Sequence, residues 1–207
     1  MKPLIIIGYG GHSRACIDVI TALGYYRIEG LIISNWDIGD PKFSYPIIGR
    51  DCDLKKILDQ DKEVFIGVGQ IKSFQPRLRL YELTKENGAK LPTIISPQAF
   101  CSNSASIGEG SILMHGALVN THAQVGVNCI LNSKALLEHD VTVGSHCHIS
   151  TGAIVNGGVT IGEKSFIGSG VVIKEGIEIG KEVVIGAGLT ITKNIPNGKI
   201  VKTQKDG

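Results

Sequence analysis

The chain has 207 residues, 27 of them glycine, with 43% hydrophobic and only 5% aromatic content. Charged residues make up 19% and the formal net charge is +2, which excludes a disordered polar chain and any basic field for nucleic acid or an anionic membrane. Its core must be built from aliphatic and small side chains rather than rings.

The N-terminus carries the short apolar run Leu4-Ile5-Ile6-Ile7, too brief for a signal peptide or a spanning helix, so the expected location is the cytoplasm. Cys16, Cys52, Cys101, Cys129 and Cys147 are odd in number and show no CxxC pairing, as expected of reduced thiols used as small apolar residues. In chain order, Leu4–Ile7 reads as a buried strand and Gly8-Tyr9-Gly10-Gly11-His12-Ser13 as a glycine-rich turn. Arg14 to Leu23 has helical spacing at Cys16, Val19, Ile20 and Leu23, and stops at Gly24. Ile28–Ile33, Glu63–Gly67 and Lys90–Ile95 read as further strands, and Pro76–Asn87 as a helix with Pro near its start and Gly88 at its end. Strands alternating with helices predict a small parallel α/β domain over residues 1–95, with Ser96-Pro97 at the joint and a second domain over 96–207.

The turn offers backbone N–H groups and a helix N-terminus to an anion such as a pyrophosphate. It departs from a dinucleotide fingerprint twice. Ser13 holds the third glycine position, and the second strand ends in Ser34-Asn35 rather than in an acid for a ribose. A diphosphate carried by a nucleotide-linked substrate fits better than a nicotinamide cofactor, and a plain structural turn is the alternative.

The second half repeats every six residues. Starting at Ile107, the series Leu113, Val119, Val125, Leu131, Leu137, Val143, Ile149, Val155, Ile161, Ile167, Ile173, Ile179, Ile185 and Ile191 is Ile, Leu or Val throughout, and the residue two earlier is always small or aliphatic. Inward positions i−2 and i belong to short strands, whose side chains alternate between faces. Gly108, Gly126, Gly144, Gly162 and Gly180 recur at three times that period, so three hexads make one coil of a three-sided β-helix.

One stretch of the repeat, Asn132 to His148, carries three of the six histidines. His139, next to Glu138 and Asp140, falls at a corner where its side chain can reach outward, and the residue one coil on is Gly157, which leaves room for it. An imidazole can take a proton near neutral pH, and either carboxylate could fix its tautomer. His115 and His122 read as surface or oligomer-contact residues. The run His146-Cys147-His148 cannot converge on one ion, because Cys147 occupies an inward position and strand neighbours alternate, so no metal is expected.

Taken together, Ile6-Ile7-Gly8-Tyr9-Gly10-Gly11-His12-Ser13, Tyr45-Pro46-Ile47-Ile48-Gly49, Phe65-Ile66-Gly67-Val68-Gly69 and the Leu137-Glu138-His139-Asp140 core resemble the bacterial hexapeptide-repeat sugar acetyltransferases. That family comprises nucleotide-4-amino-sugar N-acetyltransferases and sialic acid O-acetyltransferases. The resemblance implies a Rossmann-like domain followed by a left-handed β-helix, assembled as a homotrimer with acetyl-CoA between neighbouring helices. It implies His139 as general base, Asp140 or Glu138 as its partner, and His148 near the thioester. Asn132 and the backbone around Gly157, Gly168 and Ser169 would line the acetyl-CoA cleft, while Gly8, Gly10, Gly11, His12 and Ser13 would sit by the nucleotide sugar. The chain departs from the family pattern after the second strand, at Ser34-Asn35. It departs again near its end, where Ile195-Pro196-Asn197-Gly198 runs into Lys199–Lys205 instead of a Gly-x-Pro-Ala-Lys segment. The activity the resemblance implies is N-acetylation of a nucleotide-linked 4-amino-4,6-dideoxy sugar, since the amine-acetylating members usually have an acid directly after the histidine and Asp140 supplies one here. Sugar O-acetylation and a non-catalytic nucleotide-binding trimer are the alternatives.

Overall fold

The computed structural model describes residues 1–34, 44–58 and 62–203, so Asn35, Gln204 and Lys205 lie outside the described residues. The chain divides into two compact units, Met1–Ile94 and Ile95–Gly207.

The first unit is a four-stranded parallel sheet in the order Ile47–Arg50 (β3), Tyr26–Ile33 (β2), Lys2–Ile7 (β1), Val64–Ile66 (β4). Helix α1 (Gly11–Leu23) begins three residues before the hydrophobic spacing does, because Gly10 adopts the extended N-cap conformation and releases the helix from the turn at once. It ends at Gly24 in the left-handed region, as its glycine predicts. Helix α2 is a single turn, Leu54–Ile57, and α3 spans Gln75–Glu86. The end of α3 is a Schellman motif: Gly88, at φ 78, donates to Lys85 O and Ala89 donates to Thr84 O. Ile5, Ile7, Ile32, Leu54, Leu58 and Val64 form one apolar cluster of this unit, with Leu80 and Leu83 of α3 packed against it.

Two expectations change here. The strand expected over Lys90–Ile95 is a lone bridge between Glu63 and Lys90 followed by the two-residue strand Ile94–Ile95, since Pro92 lies between them and has no N–H for a ladder. Strand β3 and helix α2 have no counterpart in the sequence pattern. Ile47 and Ile48 are 46% and 39% exposed, so β3 lacks the alternation that announces a half-buried strand.

The second unit is a prism of two-residue parallel strands whose register advances by eighteen residues per coil, for example Leu136↔Ile154 and Leu137↔Val155. Its walls hold five, six and seven strands. The aliphatic hexad positions from Leu113 to Ile191 are no more than 4% exposed and form one continuous core. A second regularity is not evident in the sequence. Every sixth residue from Gly110 to Gly188 lies in the left-handed region, at φ between 55 and 72, and seven of these are not glycine: His122, Asn128, Lys134, Asp140, His146, Lys164 and Glu182. Each coil turns its corners this way, at a local cost that the inter-coil hydrogen bonds outweigh.

The eighteen-residue glycines have a steric cause. A Cβ built on Gly108, Gly126, Gly144, Gly162 or Gly180 would lie 2.5–2.6 Å from backbone atoms of the next coil. Beneath that edge run Ser111, Cys129, Cys147 and Ser165. Ser111 and Ser165 donate to the carbonyls of Gly126 and Gly180, and the two thiols donate to those of Gly144 and Gly162. Burial pushes the Cys147 thiol up, so it is a packing group, not a nucleophile.

The outward residues distinguish the walls. One is polar and exposed (Ser106, Gln124, Thr142, Thr160, Glu178). The next carries Ile112, Ile130, His148 and Phe166. The third presents an apolar ladder of Phe100, Leu118, Leu136, Ile154 and Val172, with Phe100 57% exposed and the others half-buried.

Candidate active site

In the first unit, the carboxyl end of the sheet opens into a cavity of about 440 Å³. Gly8, Tyr9, Gly10, Gly11 and His12 line one side, Ser34, Asp51 and Leu54 another, Gly67–Gly69 a third, and Pro76, Arg79, Leu80 and Leu83 of α3 the remainder. The first two glycines act differently. Gly8 sits at φ 129 with the Gly67 carbonyl carbon 3.0 Å from where its Cβ would be, whereas Gly10 has open space and caps α1.

Ser13 requires a correction. It is fully buried, does not line the cavity, and its Oγ donates to Gly8 O at 2.9 Å. A Cβ on Gly67 would lie 2.8 Å from that oxygen, so the serine pins the turn and fills the space between the turn and β4 instead of touching a ligand. His12 packs over Gly69 and its Nε2 lies 3.4 Å from the Cys16 Sγ. Burial pushes the Cys16 thiol up to about 12 despite the opposing Arg77, so it serves as a buried partner for that ring. The floor of the cavity is held by Arg77, a fully buried arginine whose Nη1 donates to Ile66 O and, at 2.9 Å, to Val68 O. The sequence reading missed Arg77, Arg79 and Asp51. The stripe Pro76, Arg79, Leu80, Leu83 at helical spacing, with a cation inside it, was the available signal.

On the prism, His139 and Asp140 meet. The His139 Nδ1 lies 2.8 Å from Asp140 Oδ2, and since an ionised carboxylate only accepts, Nδ1 carries the proton and Nε2 of the neutral ring keeps its lone pair. Adjacent side chains reach one another here because Asp140 is a left-handed corner residue, at φ 59. Both side chains are largely exposed, at 59% and 62%. The ring rests on Gly157, where a Cβ would fall 2.6 Å from both Cε1 and Nε2. Glu138 is engaged elsewhere, its Oε2 accepting from Asn120 Nδ2 at 3.0 Å one coil earlier. Of the two acids that could partner the histidine, the geometry selects Asp140.

A second cluster lies on the other side of the apolar ladder. Asn132 Oδ1 accepts the Ser133 N–H at 2.8 Å, which turns its Nδ2 toward His148 Nε2 at 3.2 Å. His148, only 3% exposed, stacks edge-on against Phe166 with ring centroids 5.2 Å apart. Ser169 Oγ pairs with Ser150 Oγ at 2.9 Å, and Gly168 lets the next coil approach, a Cβ there meeting Ala187 N at 2.6 Å. His115 Nδ1 lies 2.7 Å from Ser96 Oγ and His122 is an exposed left-handed corner. In the His146-Cys147-His148 run, His146 Nδ1 meets Asn128 while the Cys147 Sγ points inward to Gly162 O, so the three side chains diverge.

The chain matches the family described as PglD N-terminal domain over residues 3–82 and the hexapeptide repeat of succinyl-transferase over residues 158–193. No curated protein matches it. Among solved structures it is similar to the acetyltransferase domain of PglB from Neisseria gonorrhoeae FA1090, with 31% identity, 100% of this chain and 99% of that one covered, and a TM-score of 0.91. The same domain has been solved with acetyl coenzyme A, at 31% identity over 98% and 96% of the two chains and a TM-score of 0.89. PerB from Caulobacter crescentus, in complex with CoA and GDP-perosamine, is 27% identical over 97% and 93% of the two chains, with a TM-score of 0.85. These matches give the prism its hand: the second unit is a left-handed parallel β-helix, following a Rossmann-like domain in the chain. The chain belongs to the hexapeptide-repeat sugar acetyltransferases, a family of acetyl-CoA-dependent enzymes.

Proposed function

We propose that the protein transfers an acetyl group from acetyl-CoA to the amine of a nucleotide-linked 4-amino-4,6-dideoxy sugar. The observation that carries this reading is the His139–Asp140 pair, with Nδ1–H donated to the carboxylate and Nε2 open at an exposed corner over Gly157. Nε2 accepts the proton lost by the sugar amine as its nitrogen adds to the thioester carbonyl. Asp140 stabilises the imidazolium so formed, backbone N–H groups hold the oxyanion, and collapse of the tetrahedral intermediate expels the CoA thiolate, which takes the proton from the imidazolium. The cavity of the first unit, with its glycine-rich turn, holds the nucleotide. PerB, a relative solved with CoA and GDP-perosamine, supports N-acetylation of a nucleotide sugar over O-acetylation.

The assembly is a homotrimer formed through the apolar ladder Phe100, Leu118, Leu136, Ile154 and Val172. His139 and Asp140 flank that ladder on one side and Asn132, Gly168 and Ser169 on the other. Burying it between copies sets one edge of each prism beside the opposite edge of its neighbour, the cleft for acetyl-CoA. The test is thiol release from acetyl-CoA with a panel of nucleotide amino sugars. We expect turnover with a nucleotide 4-amino sugar and a loss of roughly 10²- to 10⁴-fold in kcat for His139→Ala. Undiminished turnover in that variant would remove the histidine from the mechanism.

A further inference from the structure

Helix α3 carries two arginines at adjacent odd positions, and they do opposite things. Arg77 is fully buried and serves the backbone of β4 and the following turn. Arg79 lies on the stripe Pro76, Leu80, Leu83 that walls the cavity. Among the described residues that line the cavity it is the only Arg or Lys, and Asp51 the only acid. It is exposed, and it forms no ion pair among the described residues although Glu82 and Glu86 share the adjoining depression with it, Asp51, Cys52 and Lys55. Arg79 thus has no ion pair among the described residues beside three carboxylates, and it lines a cavity whose other wall is a glycine turn and the N-terminus of a thirteen-residue helix, where a ligand's anion could take the guanidinium.

We infer that Arg79 binds the diphosphate of the nucleotide sugar, completing from α3 an anion site that the backbone N–H groups of Gly10, Gly11 and His12 open from α1. This rests on the nucleotide-sugar reading above. The turn's backbone supplies neutral donors and a partial helix charge, whereas a sugar-linked diphosphate carries about two negative charges; the Arg14 guanidinium lies beside Gly11 but does not line the cavity, which leaves Arg79 as the full cation on its wall. The apolar neighbours Leu54, Leu80 and Leu83 leave the base and ribose a face to pack on while the guanidinium takes phosphate oxygens.

The experiment compares each nucleoside diphosphate with its own nucleoside by calorimetry: UDP with uridine, GDP with guanosine, dTDP with thymidine. The wild type should bind one diphosphate far more tightly than the matching nucleoside. Arg79→Ala should lose roughly 10- to 100-fold in affinity for that diphosphate while its affinity for the nucleoside stays the same, and Arg79→Lys should recover some of the loss. Melting curves matching the wild type's would establish that both variants are folded, and Arg79→Gln provides a second neutral variant. An equal loss for nucleoside and diphosphate would move Arg79 to the base and overturn the assignment, as would no loss at all. A wild type that binds none of the diphosphates would overturn the nucleotide reading itself, and this inference with it.

Discussion

The two units reach their structures by different kinds of rule. In the prism a single local rule is applied coil after coil: an aliphatic residue inward, a small or aliphatic one two before it, a left-handed corner three after it. In the α/β unit the decisive contacts occur once each and join separate elements, as when Arg77 reaches Ile66 O and Val68 O or Ser13 reaches back to Gly8 O. A repeated rule tolerates exceptions, since each coil is supported by its neighbours on both sides. A single contact has no such support, and substitutions should separate the two units accordingly.

The largest effect is expected at Arg77. Arg77→Met keeps much of the side chain's length and its apolar stem but leaves the Ile66 and Val68 carbonyls without their buried donor, and it removes the guanidinium that lies 6.0 Å from the Phe65 ring. Each orphaned acceptor costs about 1–3 kcal/mol, so the first unit should lose about 2–6 kcal/mol while the prism keeps its own transition. Calorimetry resolving two transitions in the variant would bear this out. A loss shared equally by both transitions would show that the units unfold as one.

Gly157→Ala tests the prism where chemistry has been placed on it. Gly157 does not lie in the left-handed region, so alanine is acceptable to the backbone, yet the new methyl would occupy the space of the His139 Cε1 and Nε2. The ring must swing away from its seat while its Asp140 partner stays on the corner. We expect kcat to fall by roughly 10- to 100-fold, equivalent to about 1.4–2.7 kcal/mol, with melting within a few degrees of the wild type. Unchanged kcat would mean that the imidazole works in a different rotamer from the one resting on Gly157.

The same contrast explains what could be read in advance. The hexad spacing fixes which face of every strand is inward, so the prism and its core are legible from Ile107 to Ile191. The eighteen-residue glycines announce the tight edge. Conformation at the corners is not legible: nothing in the letters says that Asp140 is left-handed, and that conformation brings its carboxylate to His139 while Glu138 turns to Asn120. In the α/β unit the periodic elements β1, α1 and α3 are legible, but β3 and α2 are not, because their hydrophobic residues are few and partly exposed. A serine in a glycine-rich turn looks available to a ligand, which is why Ser13 is misplaced by sequence alone. Its burial depends on Gly67, more than fifty residues away.

Within the prism, two glycines of different origin should respond differently to the same substitution. Gly144 has no unusual backbone angle, but its Cβ would lie 2.6 Å from Glu163 N of the next coil, so Gly144→Ala must push apart coils held by the Gly144 N–H to Ile161 O bond at 2.7 Å. Gly158 has open space around its missing Cβ and a φ of 68, so Gly158→Ala meets only the left-handed penalty. Overpacking of the first kind costs about 1–3 kcal/mol, whereas the second costs about 1 kcal/mol. Non-glycine residues already occupy the Gly158 position in other coils, Asp140 one coil earlier among them, whereas Gly126 and Gly162, the equivalents of Gly144 in the coils before and after it, are also glycine. Thermal melts should therefore rank Gly144→Ala well below Gly158→Ala. Equal losses would mean that the coils separate easily enough to admit a methyl, and that the spacing between coils is not what keeps glycine at the tight edge.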